Sequence, residues 1–322
     1  HSMADPLMYL LDAVAYAGIF GIVSISLNLE YGYTNLANFG KVAFFMVGAY
    51  VTAIMSGLKY PFIVNSLLAI LTASVIGVLT SLPALRLKED FLAITMITLG
   101  EVMKLIVKNE EWLTGGVWGI SGIPPAVVIP GITFRERLIV QIVLIYTVLT
   151  LCYLLCELIV KSPYGRVLKT IREDELIAST YGKNVFKYKV QVFALGSAIS
   201  GLAGSLFAQY IGTVSPYMFE PTVTFSIWMM VILGGPANNL GAILGAFMVE
   251  GFQRSSRLIK DYLNLPLDPV NLQVMLTAIL VITVVFYRPQ GLLREKIKPD
   301  RKPLCKMVKS KFIEVENWIR RS

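Results

Sequence analysis

The sequence predicts an all-α, polytopic integral membrane protein, and three observations carry that prediction. Hydrophobic residues make up 55% of the 322-residue chain and charged residues only 16%, with a mean hydropathy of +0.66, whereas soluble domains run nearer a quarter charged. Nine apolar runs are long enough, or nearly so, to cross the hydrocarbon of a bilayer. Lysine and arginine gather in two places beside those runs instead of spreading over a soluble surface.

The runs fall at roughly 7–29, 41–57, 62–85, 91–107, 138–160, 189–212, 222–234, 239–253 and 271–287. Several are shorter than the ~20 residues of a full span. The pair 222–234 and 239–253 is the shortest, and "LGGPANNLGAILGA" interrupts it with glycine and proline. Short, broken segments are expected where irregular backbone lines a cavity in a transporter core.

Orientation follows from the basic residues. The 161–189 connection holds Lys161, Arg166, Lys169, Arg172, Lys183, Lys187 and Lys189, and the tail after Tyr287 holds eleven more between Arg288 and Arg321. Both are predicted to be cytoplasmic. The four segments between them are an even number, as two ends on one side require. The 108–137 connection then lies outside and Arg86–Asp90 inside. Nine segments place the N-terminus outside, which fits a chain lacking a preceding helix; the opening His1-Ser2-Met3 reads as a scar or a fragment's start. The division expected is a membrane domain over 1–288, with a polar cytoplasmic loop at 161–188, and a basic cytoplasmic tail over 289–322. Val308, Phe312, Val315 and Ile319 repeat at helical spacing in that tail, which fits a surface-lying amphipathic helix or a disordered basic segment.

Composition also excludes functions. The net charge of +8 is carried beside membrane spans and no nucleic-acid motif accompanies it, so nucleic acid is not an expected partner. Cys152, Cys156 and Cys305 form neither a disulfide framework nor a zinc spacing. His1 is the single histidine, which leaves little scope for metal or general-base chemistry near neutral pH. "NLANFGKV" mimics a phosphate loop, but Asn35 stands at the first glycine and Val42 at the Ser/Thr. No catalytic, cofactor or metal site is predicted.

The segment "RVLKTIREDELIASTYGK" (Arg166–Lys183) is out of character, with seven charges in eighteen residues. It reads as a helix with a turn, Val167, Leu168, Ile171, Ala178 and Tyr181 sharing a face that breaks at Glu175. Gly182 is a natural stop. Such a face must be buried, either on the chain's own membrane domain or in a groove of another protein.

The glycine runs have two readings as well. Gly196, Gly201 and Gly204 let helices pack closely. Asn35–Gly40 and Gly234–Gly241 are breaks, each leading into a helix with a Gly-Ala pair, and two such breaks point to related repeats whose half-helix ends approach a translocation path. Candidate path residues are Asn35, Asn38, Gly40, Gly234, Gly235, Asn238 and Asn239. Glu101 and Lys104 lie one turn apart in an apolar run and are expected to face each other or an aqueous cavity; Glu101 is the further path candidate. Asp12 is a charge in the first span. Trp112, Trp118, Tyr217, Phe219 and Glu220 fall in predicted outer loops, as interface anchors or docking residues.

The polar segment and six further collinear blocks resemble one family. "GRVLKTIREDELIASTYGKNVFKYK" is similar to the cytoplasmic coupling loop of the permease subunits of branched-chain amino-acid ABC importers, the LivM type. "NLEYGYTNLANFGKVAFFMVGAY" resembles that family's first signature, and "LRLKEDFLAITMITLGEVMKLIV", "LTGGVWGISGIP", "GLAGSLFAQYIGTVSP", "MMVILGGPANNLGAILGA" and "FYRPQGL" follow in order. The resemblance covers roughly Leu7 to Leu292 and implies a type II-importer-like permease. In the importer loop pattern Ala178 and Gly182 align, while Leu176 takes the place of a Glu and Glu175 sits one position early.

The resemblance implies that the loop docks on an ATPase subunit, with Arg166, Ile171, Arg172, Glu173, Asp174, Glu175, Ala178 and Gly182 as coupling residues and Ile171 or Ala178 at the contact. It further implies a second permease (LivH type), two ATPases that carry the ATP and Mg, an extracytoplasmic substrate-binding protein, and residence in the cell membrane. The expected cargo is a hydrophobic amino acid: leucine, isoleucine or valine. A urea or short-amide permease, a self-sufficient secondary carrier and a membrane enzyme are the rivals; the last lacks convergent nucleophile, base or metal ligands.

The topology is testable by single-cysteine labelling in a cysteine-free background. Cysteines near Lys169 and Lys302 are expected to react only from the cytosol, and those at Trp118 and Tyr217 only from outside. A residue-118 cysteine labelled only from the cytosol overturns the orientation.

Overall fold

A computed structural model describes residues 6–87, 89–127, 131, 133–263 and 291–293, with scattered positions between 275 and 286. The tail 294–322 and most of the run 271–287 lie outside the described residues, as does the side-chain packing of residues 255–263.

Long helices form where the apolar runs are. They are α1 (Pro6–Thr34), α2 (Lys41–Gly57), α3 (Phe62–Ala84), α4 (Glu89–Asn109), the short α5 (Glu111–Thr114), α6 (Phe134–Lys161), α7 (Pro163–Glu173), α8 (Glu175–Thr180), α9 (Val185–Ile211), α10 (Pro221–Gly234) and α11 (Asn239–Leu263). Among the described residues, five segments are long and apolar enough to cross a membrane: Met8–Thr34, α3, α6, α9 and Pro216–Gly234. Eight of the expected runs coincide with described helices; the ninth lies mostly outside the described residues. The chain is a polytopic, essentially all-α membrane protein.

The ends of these helices are set locally. Thr133 opens α6 with a capping box, its hydroxyl receiving the Glu136 amide while the Glu136 carboxylate receives the Thr133 amide at 2.8 Å. Ser162 alone separates α6 from α7. Its backbone N–H closes the last turn of α6, and its hydroxyl accepts from Gly165 in the first turn of α7.

Packing is organised around α9, which lies against both α2 and α3. The seam is built from small residues. A Cβ at Gly204 would collide with the Phe45 carbonyl, and one at Gly201 with Ala73 and the Ala69 carbonyl. In lipid no hydrophobic force draws helices together, so close backbone approach and dispersion must do so. Polar pairs are buried in the same layer, Ser66 with Ser205 at 3.1 Å and Ser26 with Ser200 at 3.0 Å. Around it, Phe20, Phe45, Phe207 and Phe219 interlock in edge-on and tilted contacts. The opposite sides of α3, α4 and α6 present leucine, isoleucine and valine outward, as a lipid-facing surface requires.

One end of the bundle is tied by a two-stranded antiparallel clasp, β1 (Ile120–Ser121) with β2 (Thr213–Val214), Ile120 opposite Val214. It joins two connections expected on the same, outer side. At the other end of α9, roughly 40 Å away for 27 residues, α8 packs against the start of α9 and α7 against α1 and α6. Residues 291–293 return to that end, where Leu292 and Leu293 donate to the carbonyls of Leu233 and Gly234. This relative arrangement is the one the Lys/Arg pattern predicts.

Gly204→Leu therefore forces a side chain into the Phe45 backbone and should cost roughly 1–3 kcal/mol or more, read as a lowered unfolding midpoint in detergent. Gly251→Ala, where a Cβ meets open space, should be neutral or slightly stabilising.

Candidate functional site

The inner end of α1 carries a polar face in an otherwise apolar helix: Asn28, Glu30, Tyr33 and Thr34. Glu30 and Lys41, the first residue of α2, are both 0% exposed. Lys41 Nζ donates to Glu30 Oε1 at 2.7 Å, and Asn38 Nδ2 donates to Glu30 Oε2 at 2.9 Å. A charge in a dry interior is tolerated only when paired and hydrogen-bonded. On the α9 side the carboxylate fills the space beside Gly196, where any Cβ would strike it.

Two helix breaks meet this face. The first runs from Asn35, in a left-handed conformation at φ 56°, to Gly40. Asn38 folds it: its side-chain oxygen receives the Gly40 amide at 3.0 Å, and its carbonyl accepts from Trp228 Nε1 at 3.3 Å. The start of α2 is held by α10, Val42 N donating to Thr224 Oγ1 at 3.2 Å. The second break follows α10, with Gly235 at φ 107° and Ala237 at φ 62°. Asn28 clasps it, accepting from the Ala237 amide and donating to Asn239 Oδ1, both at 2.9 Å. Tyr33 Oη donates to the Ala237 carbonyl at 2.8 Å. Asn239 Nδ2 continues to Glu157 Oε2 at 3.1 Å, and Glu157 pairs with Lys161 at 2.9 Å.

The structure thus brings Asn38, Gly40, Gly234, Gly235, Asn238 and Asn239 to the two ends of one polar seam. Asn35 is exposed at its edge. Gly234 and Gly241, on either side of the second break, touch backbone to backbone. Glu101 is elsewhere: on α4 it pairs with Lys104 at 3.6 Å, an exposed to half-buried ion pair rather than a member of the seam.

The polar segment expected to be cytoplasmic folds as two capped helices. The break falls at Asp174, one residue before the expected Glu175; its carboxylate accepts from the amides of Leu176 and Ile177 at 2.7 and 3.1 Å and so starts α8. Leu168, Ile171 and Ala178 are buried in the chain's own body. This corrects the expectation that Ile171 or Ala178 meets a partner. Amphipathic spacing gives a buried face, and here α1, α6 and α9 already cover it. Tyr181, placed on that face by its spacing, is instead 78% exposed, together with Leu176 at 73% and Ile177 at 49%. Arg166, Glu173, Asp174 and Gly182 are exposed too, Glu175 pairs with Lys189, and Arg172 turns inward to the Gly32 carbonyl at 2.8 Å.

Comparison with known proteins decides what this framework is. The family profile described as "Branched-chain amino acid transport system / permease component" matches residues 9–285. The chain belongs to that family. The permease is 32% identical to the probable branched-chain amino acid transport permease protein LivM of Methanocaldococcus jannaschii, covering 87% of this chain and 91% of that protein. It is 28% identical to the high-affinity branched-chain amino acid transport system permease protein LivM of Escherichia coli, covering 88% of this chain and 69% of the other. It is also 24% identical to the LivH permease protein of Salmonella typhimurium, over 89% and 99%. No solved structure matches. The permease is accordingly a multi-pass protein of the cell membrane.

At the clasped end of the permease, Asp12 is held by Arg254 Nη1 at 2.5 Å and by Tyr210 Oη at 2.7 Å, with the guanidinium 4.3 Å from the Tyr16 ring centre. Its role in clamping α1, α9 and α11 together explains a charge in the first span. Trp112 and Trp118 are exposed beside the clasp, and Lys108 lies over the Tyr217 ring at 5.3 Å.

Sequence reasoning missed Glu30, Lys41, Asn28, Tyr33 and Glu157. The available signal was two opposite charges and an asparagine inside apolar stretches, where an ionised group is costly.

Removing either charge of the Glu30–Lys41 pair strands the other. Glu30→Ala or Lys41→Ala should each cost roughly 3–5 kcal/mol. The double variant Glu30→Gln with Lys41→Met should recover at least half of that loss, measured by thermal unfolding in detergent.

Proposed function

We propose that this permease is the membrane-spanning subunit of an ATP-driven, binding-protein-dependent importer for branched-chain amino acids. It would pair with a second, LivH-type permease and be driven by two separate ATPase subunits that carry ATP and Mg. The observation that supports this reading is the exposed apolar edge of α7–α8. Leu176, Ile177 and Tyr181 stand out beside Glu173, Asp174 and Lys183, on a segment anchored firmly to the membrane body. Large apolar side chains ringed by charge on a cytosolic loop fit a docking surface on another protein.

In this reading the chain does no covalent chemistry. Closure of the ATPases on nucleotide shifts an inward–outward equilibrium through α7–α8, since a ligand moves a conformational balance by its differential affinity for the two states. The two breaks at the inner end of α1 are the elements that part to open the path. Their small residues and asparagines suit that role, because backbone freed by opening can be satisfied by water or cargo. The clasped outer end, with Trp118 and Tyr217, faces the substrate-binding protein.

The test is affinity purification from the native membrane. Leu176→Asp combined with Tyr181→Asp changes only exposed side chains, so the permease should insert and fold, yet ATPase recovery and leucine uptake should fall at least tenfold, the loss of a contact worth about 2 kcal/mol or more. Ala178→Asp buries an unpaired charge and should lower permease yield itself. Wild-type ATPase recovery with the Leu176/Tyr181 variant defeats the docking assignment.

A further inference from the structure

We propose that Arg172 is a positioning residue that ties the ATPase-facing segment to the second helix break through the last turn of α1, a linkage that rests on the reading of α7–α8 given above. Three contacts converge on that turn. Arg172 Nη1 donates to the Gly32 carbonyl at 2.8 Å, one of the α1 carbonyls that the ended helix leaves without an intrahelical partner. Lys169, one turn earlier on α7, lies over the Tyr33 ring at 5.7 Å. Two cations of α7 therefore sit at the negative end of the α1 dipole.

The other side of the same turn holds the break. Gly32 has no side chain, and a Cβ there would collide with the Ala237 amide nitrogen. Tyr33 Oη and Asn28 Oδ1 seize the carbonyl and amide of Ala237 at 2.8 and 2.9 Å. Ala237 is kept at φ 62°, a left-handed conformation that an L-residue adopts only when its surroundings impose it. The surroundings that impose it are Asn28, Gly32 and Tyr33. Gly32 thus receives α7 through its carbonyl and Ala237 against its α-carbon, so a shift of α7 displaces the break directly. α11 begins two residues later, with its first residue, Asn239, bound to Asn28.

Hydrogen–deuterium exchange of the full chain in detergent tests the linkage without any ATPase. Arg172→Ala and Tyr33→Phe should each speed exchange of the amides over 235–242 about fivefold, the loss of one hydrogen bond's net contribution, with α3 and the middle of α9 unchanged. Because the two contacts act in series, the double variant should remain near fivefold rather than multiply. Arg172→Lys, which keeps a donor and the charge, should stay near wild type. Unchanged exchange over 235–242 in Arg172→Ala, multiplying effects in the double variant, or acceleration throughout the chain would each overturn the proposal. In the assembled importer in proteoliposomes, Arg172→Ala should keep its ATPase but move at least fivefold less leucine per ATP hydrolysed; an unchanged ratio also overturns it. Failure of wild-type permease to recover any ATPase would instead refute the docking assignment and leave the exchange result standing.

Discussion

The architecture of the inner half depends on one buried ion pair, Glu30 with Lys41. Both charges are fully enclosed, so each exists there only because the other does. The constraint spreads outward. Lys41 must begin α2 within reach of Glu30, so the connection between α1 and α2 is held to six residues, and Asn38 has to face inward to complete the carboxylate's hydrogen bonds. Gly196 has to remain bare on α9 for the carboxylate to fit. Replacing such a pair by apolar residues of equal volume often leaves stability unchanged. Its contribution here is to fix register: which turn of α1 faces the start of α2, and therefore where the first break lies.

From that fixed point the second break follows. The same face of α1 that carries Glu30 carries Asn28 and Tyr33, and these bind the backbone of Ala237. Both breaks are folded against one helix, whose other faces pack on α6 and α9. The small-residue seam along α9 gives the rigid background against which this polar end can be held. The polar seam supplies a physical reason for the glycines and asparagines of the two interrupted segments.

Much of this was legible in the sequence, for identifiable reasons. Helix positions were, because a span in hydrocarbon needs an uninterrupted apolar run and the runs were there; α2, α3 and α10 begin within a residue of where their runs do. The breaks were, because glycine and asparagine interrupt otherwise apolar segments. What the residues do to one another was not. Glu30 and Lys41 stand eleven positions apart, across a turn whose geometry sequence spacing does not give, and "NLANFGKV" drew notice as a failed phosphate loop and a helix break, not for its lysine. Ile171 and Ala178 were assigned to the wrong neighbour because periodicity reports that a face is buried and is silent about the body that buries it. Asp174 was taken for a coupling charge alone, although an aspartate before a short helical run is also an N-cap signal.

The joints at the two ends of the α7–α8 segment are unlike. Between α6 and α7 a single residue, Ser162, closes one helix and opens the next, so the angle between them has almost no slack. Between α8 and α9 the chain passes through Tyr181–Asn184, with Gly182 in a left-handed conformation where a Cβ would meet open space. The segment is therefore mounted like a crank, welded to one shaft and tethered to the other. Displacement of the segment reaches α6 through a joint with almost no slack, whereas it meets α9 through the Gly182 turn and the Glu175–Lys189 pair.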